Sequence, residues 1–181
     1  MIGNLITLSR VILTFIVNYY ILFHFGKVGI PLLLFGMVFL TDYMDGKIAR
    51  LSKTVSPGGA VFDLLADFFF IFLTYLVLYN FQIMPLWFIG VVFGKFVEFV
   101  FTSIILSKSD PGNGVFVFDF IGRFVAAMFY VYPVLLYFSY CFSPVMYTLC
   151  ISILAYFLLI FALLSSAYRI RNCFRLLKGL S

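Results

Sequence analysis

Long apolar runs alternate with short polar breaks along the whole chain, and the length of the runs is the first informative quantity. Six of them lie at Leu5–Phe23, Val28–Ala49, Gly59–Tyr79, Pro85–Leu106, Val115–Phe138 and Val145–Ala167. Each approaches or exceeds the roughly 20 residues a helix needs to cross the hydrocarbon of a bilayer. The breaks carry helix-stopping residues: Gly26 with Lys27, Ser56-Pro57-Gly58-Gly59, Asn80 to Pro85, Lys108 to Asn113 with Pro111 and Gly112, and Ser143-Pro144. The pattern predicts an all-α, polytopic membrane protein with six transmembrane helices. It leaves one domain over residues 1–181, with 168–181 as a basic cytoplasmic tail.

Composition removes the soluble alternative. The chain is 65% hydrophobic, 22% aromatic and only 10% charged, whereas soluble domains sit near half apolar and a quarter charged. A water-soluble fold of 181 residues cannot hide that much apolar surface. The first run is read as a retained helix, because no basic region precedes it and Arg10 lies inside it.

The basic residues orient the helices. Lys53, Lys108, Arg169, Arg171, Arg175 and Lys178 fall on one side, against Lys27 beside His24 on the other. The positive-inside rule then puts both termini in the cytoplasm and the protein in the cell (inner) membrane. The net charge of +5 reads as a topology signal and an attraction to anionic headgroups, and no nucleic acid is expected as a partner. Cys141, Cys150 and Cys173 fit neither a metal site nor a shared disulfide.

The acids change the picture. Of seven, six lie in or at the ends of apolar runs: Asp42, Asp45, Asp63, Asp67, Glu98 and Asp119. A charge at the bilayer centre costs about 3 kcal/mol or more, so these groups must face one another, a cation or water. On the second helix Asp42, Asp45, Gly46 and Ala49 recur at spacings of three and four and share a face. On the third, Gly59, Asp63 and Asp67 recur every four residues. Adjacent antiparallel helices would thus present four carboxylates to each other, which stay ionised together only if divalent cations neutralise them. All-oxygen ligands suit Mg²⁺, Mn²⁺ or Ca²⁺. The small residues on the same faces leave room for a bulky ligand such as a nucleotide diphosphate. A cation-conducting or structural acid cluster is the alternative, although no inverted repeat of the kind transporters use is present.

In full the segment reads Asp42-x2-Asp45-Gly46-x2-Ala49-Arg50-x8-Gly59-x3-Asp63-x3-Asp67, within TDYMDGKIARLSKTVSPGGAVFDLLAD. It resembles, at every defining position, the signature of the CDP-alcohol phosphotransferase family. That resemblance implies six transmembrane helices, a homodimer and metal-dependent attack of an alcohol on a CDP-linked donor with release of CMP. It implies that Asp42, Asp45 and Asp63 ligate two divalent cations, Mg²⁺ or Mn²⁺. Asp67 would share the second metal and act as general base. Gly46, Ala49 and Gly59 would line the nucleotide pocket, with Arg50 on donor phosphate or else snorkelling to the interface. Asn4, Thr7 and Arg10 resemble the N-x-x-T-x-x-R entry of phosphatidylglycerophosphate synthases and would face the nucleotide. Alternatively Asn4 caps the helix and Arg10 snorkels.

The expected donor is CDP-diacylglycerol. Lys95 and Arg123 lie inside later spans and would bind the phosphate of an anionic acceptor, glycerol 3-phosphate first and inositol phosphate second. Internal pairing of Lys95 with Glu98 and of Arg123 with Asp119 is the competing reading. The chain departs from phosphatidylglycerophosphate synthases at Phe68, where they usually carry Lys. It departs again at Lys95-Phe96-Val97-Glu98, where they usually show Arg-Glu-Phe, so serine or choline stays open as the acceptor.

Overall fold

The breakers cut the chain where expected. The computed structural model describes residues 2–52, 57–109 and 120–177, with side chains for 7–44, 58–106 and 120–175. Within these lie α1 (Ile2–Phe23), α2 (Gly29–Ser52), α3 (Pro57–Asn80), α4 (Leu86–Ser109), α5 (Phe120–Phe142), α6 (Pro144–Leu149) and α7 (Ala155–Leu177). A π-helical turn, Cys150–Leu154, joins α6 to α7, so the pair forms one span. Four helices are long and apolar enough to cross a membrane, Gly58–Asn80, Leu86–Leu106, Phe120–Phe142 and Pro144–Arg175. Two shorter apolar stretches, Thr7–Phe23 and Gly29–Met44, accompany them in α1 and α2. The protein is an all-α polytopic membrane protein.

Packing satisfies the backbone where the helices are irregular, as a lipid environment demands. Pro133 in α5 has no N–H to give the carbonyl four residues back, and the Tyr75 hydroxyl donates to that carbonyl, Phe129 O, at 3.0 Å. The Tyr132 hydroxyl donates at 3.2 Å to Cys150 O in the π-turn. Tyr137 and Tyr147 hydroxyls tie down the two connections at the end away from the carboxylates, through Lys27 O at 2.6 Å and Ile83 O at 3.0 Å. Gly26 turns the first of these at a φ of 86°, a conformation that suits glycine. The core itself is aromatic, with Phe35, Phe70, Tyr75, Phe88, Phe129, Tyr132 and Tyr137 buried, while Phe23, Leu33, Phe101 and Leu163 are exposed to the surroundings as lipid-facing positions should be.

Helix α1 packs on α2 and α3, and α7 packs on α4 and α5. A buried polar seam runs down α1, where Asn18 Nδ2 donates to Thr14 O and, across to α3, to Thr74 Oγ1 at 3.2 Å. The seam leads to Arg10. In the segment expected as a basic tail, α7 continues to Leu177, and Arg169 is buried. The reason is visible in the spacing of Ser165, Arg169 and Cys173, which recur every four residues and form one face packed against the bundle.

Candidate active site

Three helices build the acidic centre. Asp42 comes from α2, Asp63 and Asp67 from consecutive turns of α3, and their carboxylate oxygens all lie within 4.8 Å of one another. Into this group α1 inserts Arg10. Its Nη1 donates to Asp63 Oδ1 at 2.8 Å and to Asp67 Oδ1 at 2.5 Å, and its Nη2 lies 3.1 Å from Asp42 Oδ1. The arginine side chain is sealed, at 0% exposure, whereas those of Asp42, Asp63 and Asp67 keep 43%, 40% and 31%. The carboxylates therefore have an outward side on which another ligand can approach.

That side opens on a cavity of about 340 Å³. Asp42, Asp67 and Tyr130 form one part of its wall, and Lys95, Phe99 and Arg169 another. Lys95 Nζ donates to Glu98 Oε2 at 2.6 Å and to the hydroxyls of Ser165 and Ser166 at 3.0 Å each. Arg169 bonds Thr102 Oγ1 and Ser103 Oγ at 2.9 Å, lies over the Phe99 ring, and approaches Glu98 Oε1 at 3.6 Å, an ion pair too long for a hydrogen bond. One carboxylate thus bridges two cations from different helices. Phe68, on the same wall, stacks on Phe96 with ring centroids 3.8 Å apart.

Of the residues singled out in the sequence, Asp42, Asp63 and Asp67 converge as the helical spacing required. Arg10 lies nearby, held by the carboxylates. Thr7 is buried one turn before Arg10, and Gly59 is half-buried one turn before Asp63. The side chains of Asn4, Asp45, Gly46, Ala49 and Arg50, and all of Asp119, lie outside the described residues. Lys95 reaches the cavity, but it pairs with Glu98 as the competing reading held. Arg123 does not reach it: Gly122 lines the wall, and one residue on, about 100° around the helix, Arg123 is exposed. Arg169 supplies the second cation instead. The sequence carried a signal for it, since Ser165 and Ser166 precede it by a helical turn in an otherwise apolar span.

A family description, CDP-alcohol phosphatidyltransferase, matches residues 1–168. The chain belongs to the CDP-alcohol phosphatidyltransferase family. It is therefore a membrane-embedded transferase of phospholipid synthesis that acts on CDP-alcohol substrates. A search of curated proteins found no match. The family uses divalent metal ions, and the donor set here fits one. Asp42, Asp63 and Asp67 offer carboxylate oxygens, the ligands a hard cation prefers, at a separation a single ion can bridge.

Proposed function

We propose that this phosphatidyltransferase joins the phosphatidyl group of CDP-diacylglycerol to a small phosphorylated alcohol, glycerol 3-phosphate, and releases CMP. The observation that carries the choice of acceptor is the cavity, whose wall holds the acidic centre in one part and two mostly buried cations in another. Glu98 offsets only one of these two positive charges, and a phosphate matches the charge left over, offered by a compact ammonium beside a planar guanidinium.

In this reading Asp42, Asp45, Asp63 and Asp67 would hold two divalent cations, Mg²⁺ or Mn²⁺, whose positive charge would stabilise the donor diphosphate. Lys95 and Arg169 hold the acceptor by its phosphate, so that its hydroxyl faces Asp67. Asp67 accepts the hydroxyl proton as the oxygen bonds to the lipid-side phosphorus. The bond from that phosphorus to the bridging oxygen breaks, and CMP leaves. Thr7, Arg10, Gly59 and, on the family likeness, Asn4, Gly46, Ala49 and Arg50 border the donor. The likeness also supports a homodimer. The remaining positive charges, at Lys53, Lys108, Arg171, Arg175 and Lys178, support a site facing the cytoplasm at the inner membrane.

The experiment is CMP release by purified protein from CDP-diacylglycerol with glycerol 3-phosphate, inositol phosphate, serine and choline in turn. Glycerol 3-phosphate should be preferred. Lys95→Ala and Arg169→Ala should each lower kcat/KM for it by about 10- to 150-fold, the worth of one charge-assisted contact. Arg123→Ala should not. Preference for serine, or an unchanged acceptor KM in both cavity variants, overturns the acceptor assignment.

A further inference from the structure

Arg169 is held chiefly by groups that carry no charge. Its Nε donates to Thr102 Oγ1 and its Nη2 to Ser103 Oγ, each at 2.9 Å, and Nη2 also reaches Phe99 O at 3.3 Å. The Phe99 ring covers one face of the guanidinium, with its centroid 4.7 Å from Cζ. One edge and one face of a planar group are thereby fixed, and with them its orientation. Thr102 and Ser103 are adjacent on α4, about 100° apart around the helix. Both meet one side chain because a guanidinium presents its N–H groups in a fork. The Thr102 hydroxyl is itself set, since it donates to Glu98 O at 2.8 Å one turn back and so offers its lone pairs to Arg169. We propose that Thr102 and Ser103 are positioning residues for the acceptor's phosphate, and that they act by aiming Arg169.

The kind of contact favours positioning over mere concealment of a charge. Glu98 stands back from Arg169 Nε at 3.6 Å and gives its other oxygen to Lys95 at 2.6 Å. Hydroxyl and carbonyl oxygens fix the direction of a guanidinium without cancelling its charge, which stays available to an anion. The side chains of Arg169, Thr102 and Ser103 are all buried, and hydrogen bonds shielded from water hold a direction more firmly. Arg169 is nevertheless part of the cavity wall, so its orientation bears on whatever the cavity holds. One turn on, Cys173 Sγ reaches Thr102 O at 3.9 Å and keeps α7 in register with α4 at this level. An arginine that is already ordered loses less side-chain freedom when a phosphate arrives, and the difference appears in the acceptor's affinity. This rests on the acceptor reading above, which gives Arg169 its phosphate.

The test is steady-state kinetics of the full chain purified in detergent, with glycerol 3-phosphate and CDP-diacylglycerol varied in turn. The proteins are wild type, Thr102→Val, Thr102→Ser, Ser103→Ala, Arg169→Ala and the double variant Thr102→Val with Arg169→Ala. Thr102→Val keeps the shape and loses the oxygen. It should raise the acceptor KM by about 2- to 12-fold, the worth of one long side chain left to be ordered by the ligand, and Ser103→Ala should do the same. In both, kcat and the KM for CDP-diacylglycerol should stay close to those of wild type. Thr102→Ser restores the hydroxyl and should behave as wild type. In the Arg169→Ala background Thr102→Val should change the acceptor KM no further, since the group it aims is gone. An acceptor KM unchanged in both Thr102→Val and Ser103→Ala, or equal rises for both substrates, would make the two hydroxyls structural braces and overturn the inference. So would a Thr102→Val effect that persists without Arg169. If Thr102→Val does not fold, Ser103→Ala decides alone. Wild-type protein that leaves glycerol 3-phosphate unused, or an acceptor KM untouched by Arg169→Ala, defeats the acceptor reading and this inference with it. A rise in Arg169→Ala without one in the hydroxyl variants defeats only the positioning.

Discussion

Replacing Glu98 by Gln removes one negative charge and almost no volume from a place where two cations depend on it. Lys95, Glu98 and Arg169 have side chains only 10%, 16% and 2% exposed. Breaking a buried pair by neutralising one partner costs about 3 to 5 kcal/mol, because the partner left behind remains desolvated. The low end applies here. Ser165, Ser166, Thr102 and Ser103 go on accepting hydrogen bonds from the two cations, and the glutamine oxygen can still face Lys95. A loss of about 3 kcal/mol corresponds to a fall in Tm of about 6 to 12 °C for a chain of this size. The unfolding temperature of purified protein in detergent, followed by a thiol-independent dye, reads it directly. Inorganic phosphate or glycerol 3-phosphate should then raise the Tm of Glu98→Gln more than that of wild type, since an anion in the cavity replaces the missing carboxylate. A fall of less than about 2 °C would show that Glu98 is not the counter-charge for these cations. An equal phosphate effect on both proteins would show that the cations do not face the ligand.

Asp67→Asn should leave donor binding nearly intact and abolish CMP release, because the amide keeps the shape but cannot take a proton; turnover at neutral pH in this variant would remove Asp67 as the base. Tyr130→Phe deletes a buried hydroxyl with no hydrogen-bond partner among the described residues, so Tm should hold or rise slightly, and a clear fall would reveal an unrecognised bond. In a variant lacking the native cysteines, a cysteine at Gln82 should react with an impermeant reagent in intact cells and one at Ser52 should not; the reverse pattern inverts the orientation.

How much of this could be read in advance depended on whether a feature repeats within one helix or arises between helices. The all-α polytopic class and the convergence of Asp42 with Asp63 and Asp67 were legible, because hydrocarbon thickness sets helix length and a spacing of three or four sets a shared face. The same logic gave the pairing of Lys95 with Glu98, three residues apart. Depth alone suggested that Arg123 enters the site, but depth does not specify rotation: in the packed bundle Gly122 takes the inward position and Arg123 the outward one. Arg169 looked like a charge in a tail, and packing of α7 on α4 made it a buried partner of Glu98. Likewise, nothing local to α1 says that Arg10 meets three carboxylates of two other helices, or that Tyr75 completes the carbonyl opened by Pro133 some 58 residues later. Periodicity is a property of a single helix. Which faces meet, and which cation ends among which acids, follows from how the helices pack, where burying every polar group with a partner decides between arrangements that the one-dimensional pattern leaves equal.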